Sequence, residues 1–122
     1  MKKILFAAGF ILMTAGIASS HPPTDLVLKY DQKAKVLEVR MRHVTEDIRE
    51  HYVRTITVSV NGQEPKGYRY THQQYPSYVD VFLPVEAKPG DMIHVQANCL
   101  KGGSIEGDLK IEKEEDAGKK TP

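Results

Sequence analysis

The sequence predicts an all-β protein, an antiparallel sandwich of about seven short strands. Three observations carry this reading. Apolar and polar residues alternate along successive segments, turn residues punctuate those segments, and no stretch after the first twenty residues repeats at helical spacing. A hydrophobic fraction of 40% beside 27% charged residues is that of a folded chain and excludes wholesale disorder.

The elements follow in order. Residues 26–30 form a first strand, and Asp31-Gln32-Lys33-Ala34-Lys35 is a polar turn. Residues 36–43 set Leu37, Val39, Met41 and His43 on one face and Val36, Glu38, Arg40 and Arg42 on the other. The first set belongs to the core, because side chains alternate across a strand. Residues 55–60 repeat the pattern with Ile56, Val58 and Val60 inward. Asn61-Gly62 then signals a type I′ hairpin turn, whose two central residues both need positive φ. Residues 68–70 and 78–83 are further strands separated by a polar loop containing Pro76. Lys88-Pro89-Gly90-Asp91 is a turn, since Pro presets its first central position and Gly accepts the second. Residues 92–99 place Ile93, Val95, Ala97 and Cys99 inward and His94 outward, and residues 105–112 close the sheet. The count and spacing fit an immunoglobulin-like sandwich. Residues 112–122 carry charge and almost no apolar side chain, so they are expected to form a disordered tail.

Residues 1–20 have the composition of a signal peptide. Lys2 and Lys3 precede an uncharged apolar run, Ile4 to Ile17, that is short for a membrane span. Ala18 and Ser20 are small residues suited to cleavage before His21, and no cysteine follows that could take a lipid. Cleavage after Ala18 fits the same sequence. The mature domain is thus expected over residues 21–111, in the periplasm or secreted, with no stable membrane anchor. Formal net charge is +1, and losing the two leader lysines turns it slightly negative. Without a basic stripe, nucleic acid is not an expected partner.

The chain has five histidines and one cysteine, the borderline and soft donors that suit iron, copper or zinc. Two of them end inward faces: His43 closes one core row and Cys99 another. His51 lies just past the loop Val44-Thr45-Glu46-Asp47-Ile48-Arg49-Glu50, and a loop brings its flanks together. His43, His51 and Cys99 are therefore expected to converge at one pole of the sandwich. His21, as a mature amino terminus, would add an imidazole and an α-amine. His94 is expected at the surface, and the pattern does not place His72.

The stretch His43-Val44-Thr45-Glu46-Asp47-Ile48-Arg49-Glu50-His51-Tyr52 resembles the superoxide reductase, or desulfoferrodoxin-type, iron domain. Asn61-Gly62, Ala87-Lys88-Pro89-Gly90-Asp91 and Ala97-Asn98-Cys99 extend the likeness over nearly the whole mature chain. The resemblance implies an immunoglobulin-like sandwich holding ferrous iron by four equatorial histidines and one axial cysteine, with a sixth position open to superoxide. His43 and His51 match two of those histidines, Cys99 matches the thiolate, and His21 matches a third histidine by position alone. Gly102 stands where the last histidine belongs, and the tryptophan that follows it in the family is missing as well. Lys101 and Lys66 are candidates for the lysine that attracts superoxide. What the resemblance implies is an exported mononuclear iron protein that reduces superoxide or senses an oxidant, served by an electron-donor protein. Two other readings fit the same residues. One is a copper module using an amino-terminal His21, as in histidine-brace proteins; the other is a sandwich whose metal site has decayed.

Overall fold

The computed structural model describes residues 22–113, so the signal-peptide expectation, His21 and most of the charged tail lie outside the described residues. Seven strands form: β1 (Thr24–Asp31), β2 (Val36–Arg42), β3 (Val53–Val60), β4 (Lys66–Arg69), β5 (Tyr78–Pro84), β6 (Met92–Cys99) and β7 (Ser104–Lys110). No helix occurs among the described residues. Every pairing is antiparallel, in two sheets ordered β1-β2-β5 and β4-β3-β6-β7. The fourth strand thus joins the sheet of the third, where an immunoglobulin constant domain pairs it with the fifth.

The core lies between the sheets, built from the alternating rows that the sequence displays. Leu37, Val39 and Met41 of β2 face Ile56 and Val58 of β3 and Ile93, Val95 and Ala97 of β6, all at 5% exposure or less. Burying one such Val, Leu or Ile side chain stabilises by about 1.5–3 kcal/mol, so these rows fix the register of three strands at once. Val60, expected inside, is only half-buried because it ends its strand on the lining of a cavity shared with Asn61 and Lys66. Beside the core, β1 and β7 meet: a Cβ at Gly107 would stand 3.0 Å from Leu26 Cδ2.

Boundaries moved where partners outvoted local pattern. The fourth strand starts two residues earlier than expected, because Lys66 pairs with Val58 and Arg69 with Thr55. Asn61 and Gly62 take positive φ of 54° and 73°, and the Gln63 N–H closes the turn on the Val60 carbonyl. The strands do not pair directly across it. Instead Asn61 turns toward β6, accepting from the Met92 N–H at 2.9 Å and donating to Asp91 at 3.0 Å.

Candidate metal centre

Topology brings three strand ends to one pole. β2 runs out at Arg42 and the loop after it crosses to β3, so the end of β2 and the start of β3 share a pole. β6 is antiparallel to β3, with Val53 opposite Cys99, so the end of β6 lies there too. His43 follows the core row of β2, His51 stands two residues before β3, and Cys99 ends β6. Their donor atoms all lie within 4.8 Å of one another.

The loop between the two histidines is held locally. Thr45, 5% exposed, accepts from the Asp47 N–H at 3.1 Å, and the N–H groups of Glu50 and His51 both return to the Asp47 carbonyl. The Leu100 N–H bonds the Tyr52 carbonyl at 2.9 Å, which ties the His51 side of the loop to the Cys99 strand. His51 Nε2 then stands 3.1 Å from Cys99 Sγ. The two imidazole rings meet edge to face, with centroids 4.9 Å apart at 85°.

Cys99 is 6% exposed and His43 2%, while His51 is half-buried. Burial pushes the Cys99 thiol up from its ordinary value. Opposing this are the backbone N–H of Lys101, the charge of Lys101 and the backbone N–H of Gly102. Burial outweighs these contacts, so the surroundings as a whole favour the neutral thiol. A bound cation would reverse that balance, because a coordinated thiol loses its proton outright.

The donor set fits a borderline transition metal. Two imidazoles and a thiolate are the ligands chosen by iron, copper and zinc, not by magnesium or calcium. With metal–N and metal–S bonds of about 2.1 and 2.3 Å, ligands at a right angle stand ~3.1 Å apart and tetrahedral ones ~3.6 Å. The 3.1 Å between His51 Nε2 and Cys99 Sγ is that of a hydrogen bond between them, and it is short enough for both to reach one ion.

Gly102, where the resemblance puts a histidine, belongs to the turn between β6 and β7. Its φ is +108° and that of Gly103 is +93°, a backbone that L side chains avoid. An added Cβ at Gly102 would meet nothing within 4 Å, but one at Gly103 would stand 2.8 Å from Pro22 Cβ. The first described residue thus packs against the turn that carries Cys99. His21 itself lies outside the described residues.

The remaining candidates separate cleanly. Lys101 lines a pocket of about 580 Å³ with Val44, Thr45, Glu46, Asp47, Glu50 and His51, beside the metal pole. Lys66 does not: it opens β4 opposite Val58 and lines a cavity with Asn61, Pro84 and Lys88 at the other pole. Of the two lysines, only Lys101 stands beside the three donors. His72 is exposed, with its Nδ1 3.3 Å from the Thr71 hydroxyl, and lies outside the group. His94 faces outward as expected, 3.0 Å from Glu106 and 2.6 Å from Asp108.

Sequence reasoning missed Gln73. It is 3% exposed and its Oε1 lies 2.8 Å from His43 Nδ1. Nothing in the polar run His72-Gln73-Gln74 marks one glutamine as buried, since its partners His43 and Val53 are remote in sequence.

No protein-family model matches the chain, and no curated protein does. Among solved structures, the chain is similar to two variants of the superoxide reductase (neelaredoxin) from Ignicoccus hospitalis. One is 15% identical, with a TM-score of 0.43, over 79% of this chain and 86% of that one. The other is 17% identical, also with a TM-score of 0.43, over 80% and 86%.

Proposed function

We propose that this chain is an exported mononuclear iron-binding protein of the superoxide reductase kind, with His43, His51 and Cys99 as ligands and His21 as a fourth. One observation carries the reading: two imidazoles and a thiol, from three separate strand ends, with donor atoms within 4.8 Å. The likeness of Glu50-His51-Tyr52, with Cys99 downstream, to the superoxide reductase pattern supports iron among the metals this donor set accepts. The place of Pro22 against Gly103 supports a role for the residue before it.

Ferrous iron, when bound, supplies the single electron that reduces superoxide; with two protons from solvent the product is hydrogen peroxide, and an external donor returns the ferric ion to ferrous. The chain's own part is electrostatic and positional. Cys99 lends electron density as a thiolate, steadied by the N–H groups of Lys101 and Gly102. Lys101 puts a positive charge at the pocket beside His51, where Glu46, Asp47 and Glu50 also stand. Three carboxylates against one ammonium make this pocket a poor funnel for an anion. Screening weakens the net repulsion, so superoxide reduction is expected to speed up as ionic strength rises.

The test is to export the full chain, purify the processed protein without added metal, and determine its metal content and first residue. About one iron per chain, with a sulfur-to-iron charge-transfer band in the oxidised protein that C99S abolishes, supports the proposal. Substoichiometric iron after ferrous loading, or a band that survives C99S, overturns it. A second reading rests on the same position of Pro22: with His21 as the mature terminus, its α-amine and imidazole suit copper. Retention of copper in place of iron, lost in H21A, would favour that reading.

A further inference from the structure

Resting on that metal reading, we infer that Gln73 is a positioning residue that sets the tautomer of His43, holding the imidazole proton on Nδ1 so that Nε2 carries the lone pair for the metal. The argument starts from backbone groups whose roles are fixed. The Gln73 side-chain nitrogen lies 2.8 Å from the His43 carbonyl and 2.8 Å from the Tyr75 carbonyl. Carbonyls only accept, so the amide NH₂ must face them. The other end of the same amide lies 3.3 Å from the Val53 N–H, which only donates. Flipping the amide would set its oxygen against two carbonyls and its NH₂ against a donor. The orientation is forced by obligate partners on both sides.

With Oε1 fixed in place, the 2.8 Å contact to His43 Nδ1 has one direction: Nδ1–H donates and Oε1 accepts. A neutral imidazole with its proton on Nδ1 has its lone pair on Nε2. Metal-bound histidines commonly donate their second N–H to a fixed acceptor, which sets the tautomer and ring orientation and raises ligand basicity. Gln73 supplies that acceptor with all its hydrogen-bonding capacity used: two donations from nitrogen and two acceptances at oxygen. Its own N–H bonds the Ile48 carbonyl at 2.9 Å, inside the loop that carries His51. One buried residue, through its side chain and its backbone N–H, therefore references both histidine positions to the start of β3.

Long-range ¹⁵N–¹H NMR of the metal-free protein reads the tautomer directly, at a pH where the imidazole is neutral. The wild-type protein is expected to show His43 protonated on Nδ1; protonation on Nε2 overturns the inference whatever the metal affinity proves to be. Cobalt(II) affinity, measured by competition with a chelator, gives the second readout. In Q73L the Nδ1–H population is expected to fall and cobalt binding to weaken by about 10–100-fold. An unchanged tautomer or unchanged affinity in a folded Q73L counts against the inference. Should Q73L not fold, the wild-type spectrum decides the inference alone, and protonation of His43 on Nε2 overturns it. A wild-type protein that binds no cobalt refutes the metal reading instead, and the NMR spectrum still decides the role of Gln73.

Discussion

Strand β6 carries two candidate ligands five residues apart, and they meet opposite fates. His94 stands on the outer face between Glu106 and Asp108, with its side chain 41% exposed. Cys99 ends the inner row and lies 3.1 Å from His51 Nε2. Side-chain type does not decide which of them joins the centre. Parity along the strand does, because Ile93, Val95 and Ala97 at 0% exposure leave the register no freedom. His94 finds carboxylates and water, where an ion pair contributes little; Cys99, 6% exposed, finds two imidazoles.

The contrast can be broken from the inner side first. Ile93→Ala deletes a fully buried side chain between the sheets and is expected to cost about 2–5 kcal/mol in a denaturant melt. A loss below half a kcal/mol would mean that the inner row is not what holds the register. Gly103→Ala should cost less, about 1–2 kcal/mol for the left-handed backbone alone, with the 2.8 Å approach to Pro22 adding to it. This substitution should also weaken cobalt binding by disturbing the Cys99 turn, so a destabilised variant with intact affinity would separate the turn from the site.

On the outer face the effects are small. His94→Gln is expected to change stability by less than about 0.5 kcal/mol and to leave metal affinity as it was. Its pH signature has a definite sign. The hydrogen bond to Asp108, opposed by slight desolvation and reinforced by the Asp108 charge and by Glu106, raises the imidazole above its usual 6.5. The stabilisation from this pair is therefore full below about 6.5, the unfolded value, and is lost as pH rises through the higher folded value. Salt should shrink it. Chemical denaturation across that window, compared with the Gln variant, checks the direction.

The same contrast explains what was legible in the sequence. Parity was written in the alternation of β6, whose bounds coincide with the expected run, and the His43 row of β2 was equally plain. The convergence of His43, His51 and Cys99 followed from two inward rows and one loop flank. Less local features were not legible. The fourth strand shifted toward the amino terminus because β3, not its own pattern, sets its register. Gln73 gave no signal because its partners at positions 43 and 53 become neighbours only once two sheets have closed. No motif chooses between Lys66 and Lys101, and only topology sends them to opposite poles.

X-ray absorption of the zinc-loaded protein tests the central claim most directly, since it reads ligand atoms without depending on turnover. One sulfur at about 2.3 Å and nitrogen ligands at about 2.0–2.1 Å are expected in the wild-type protein and in His94→Ala. A first shell of nitrogen and oxygen alone in the wild-type protein would contradict the account, because it would leave Cys99 out of the centre that its position on β6 was held to build.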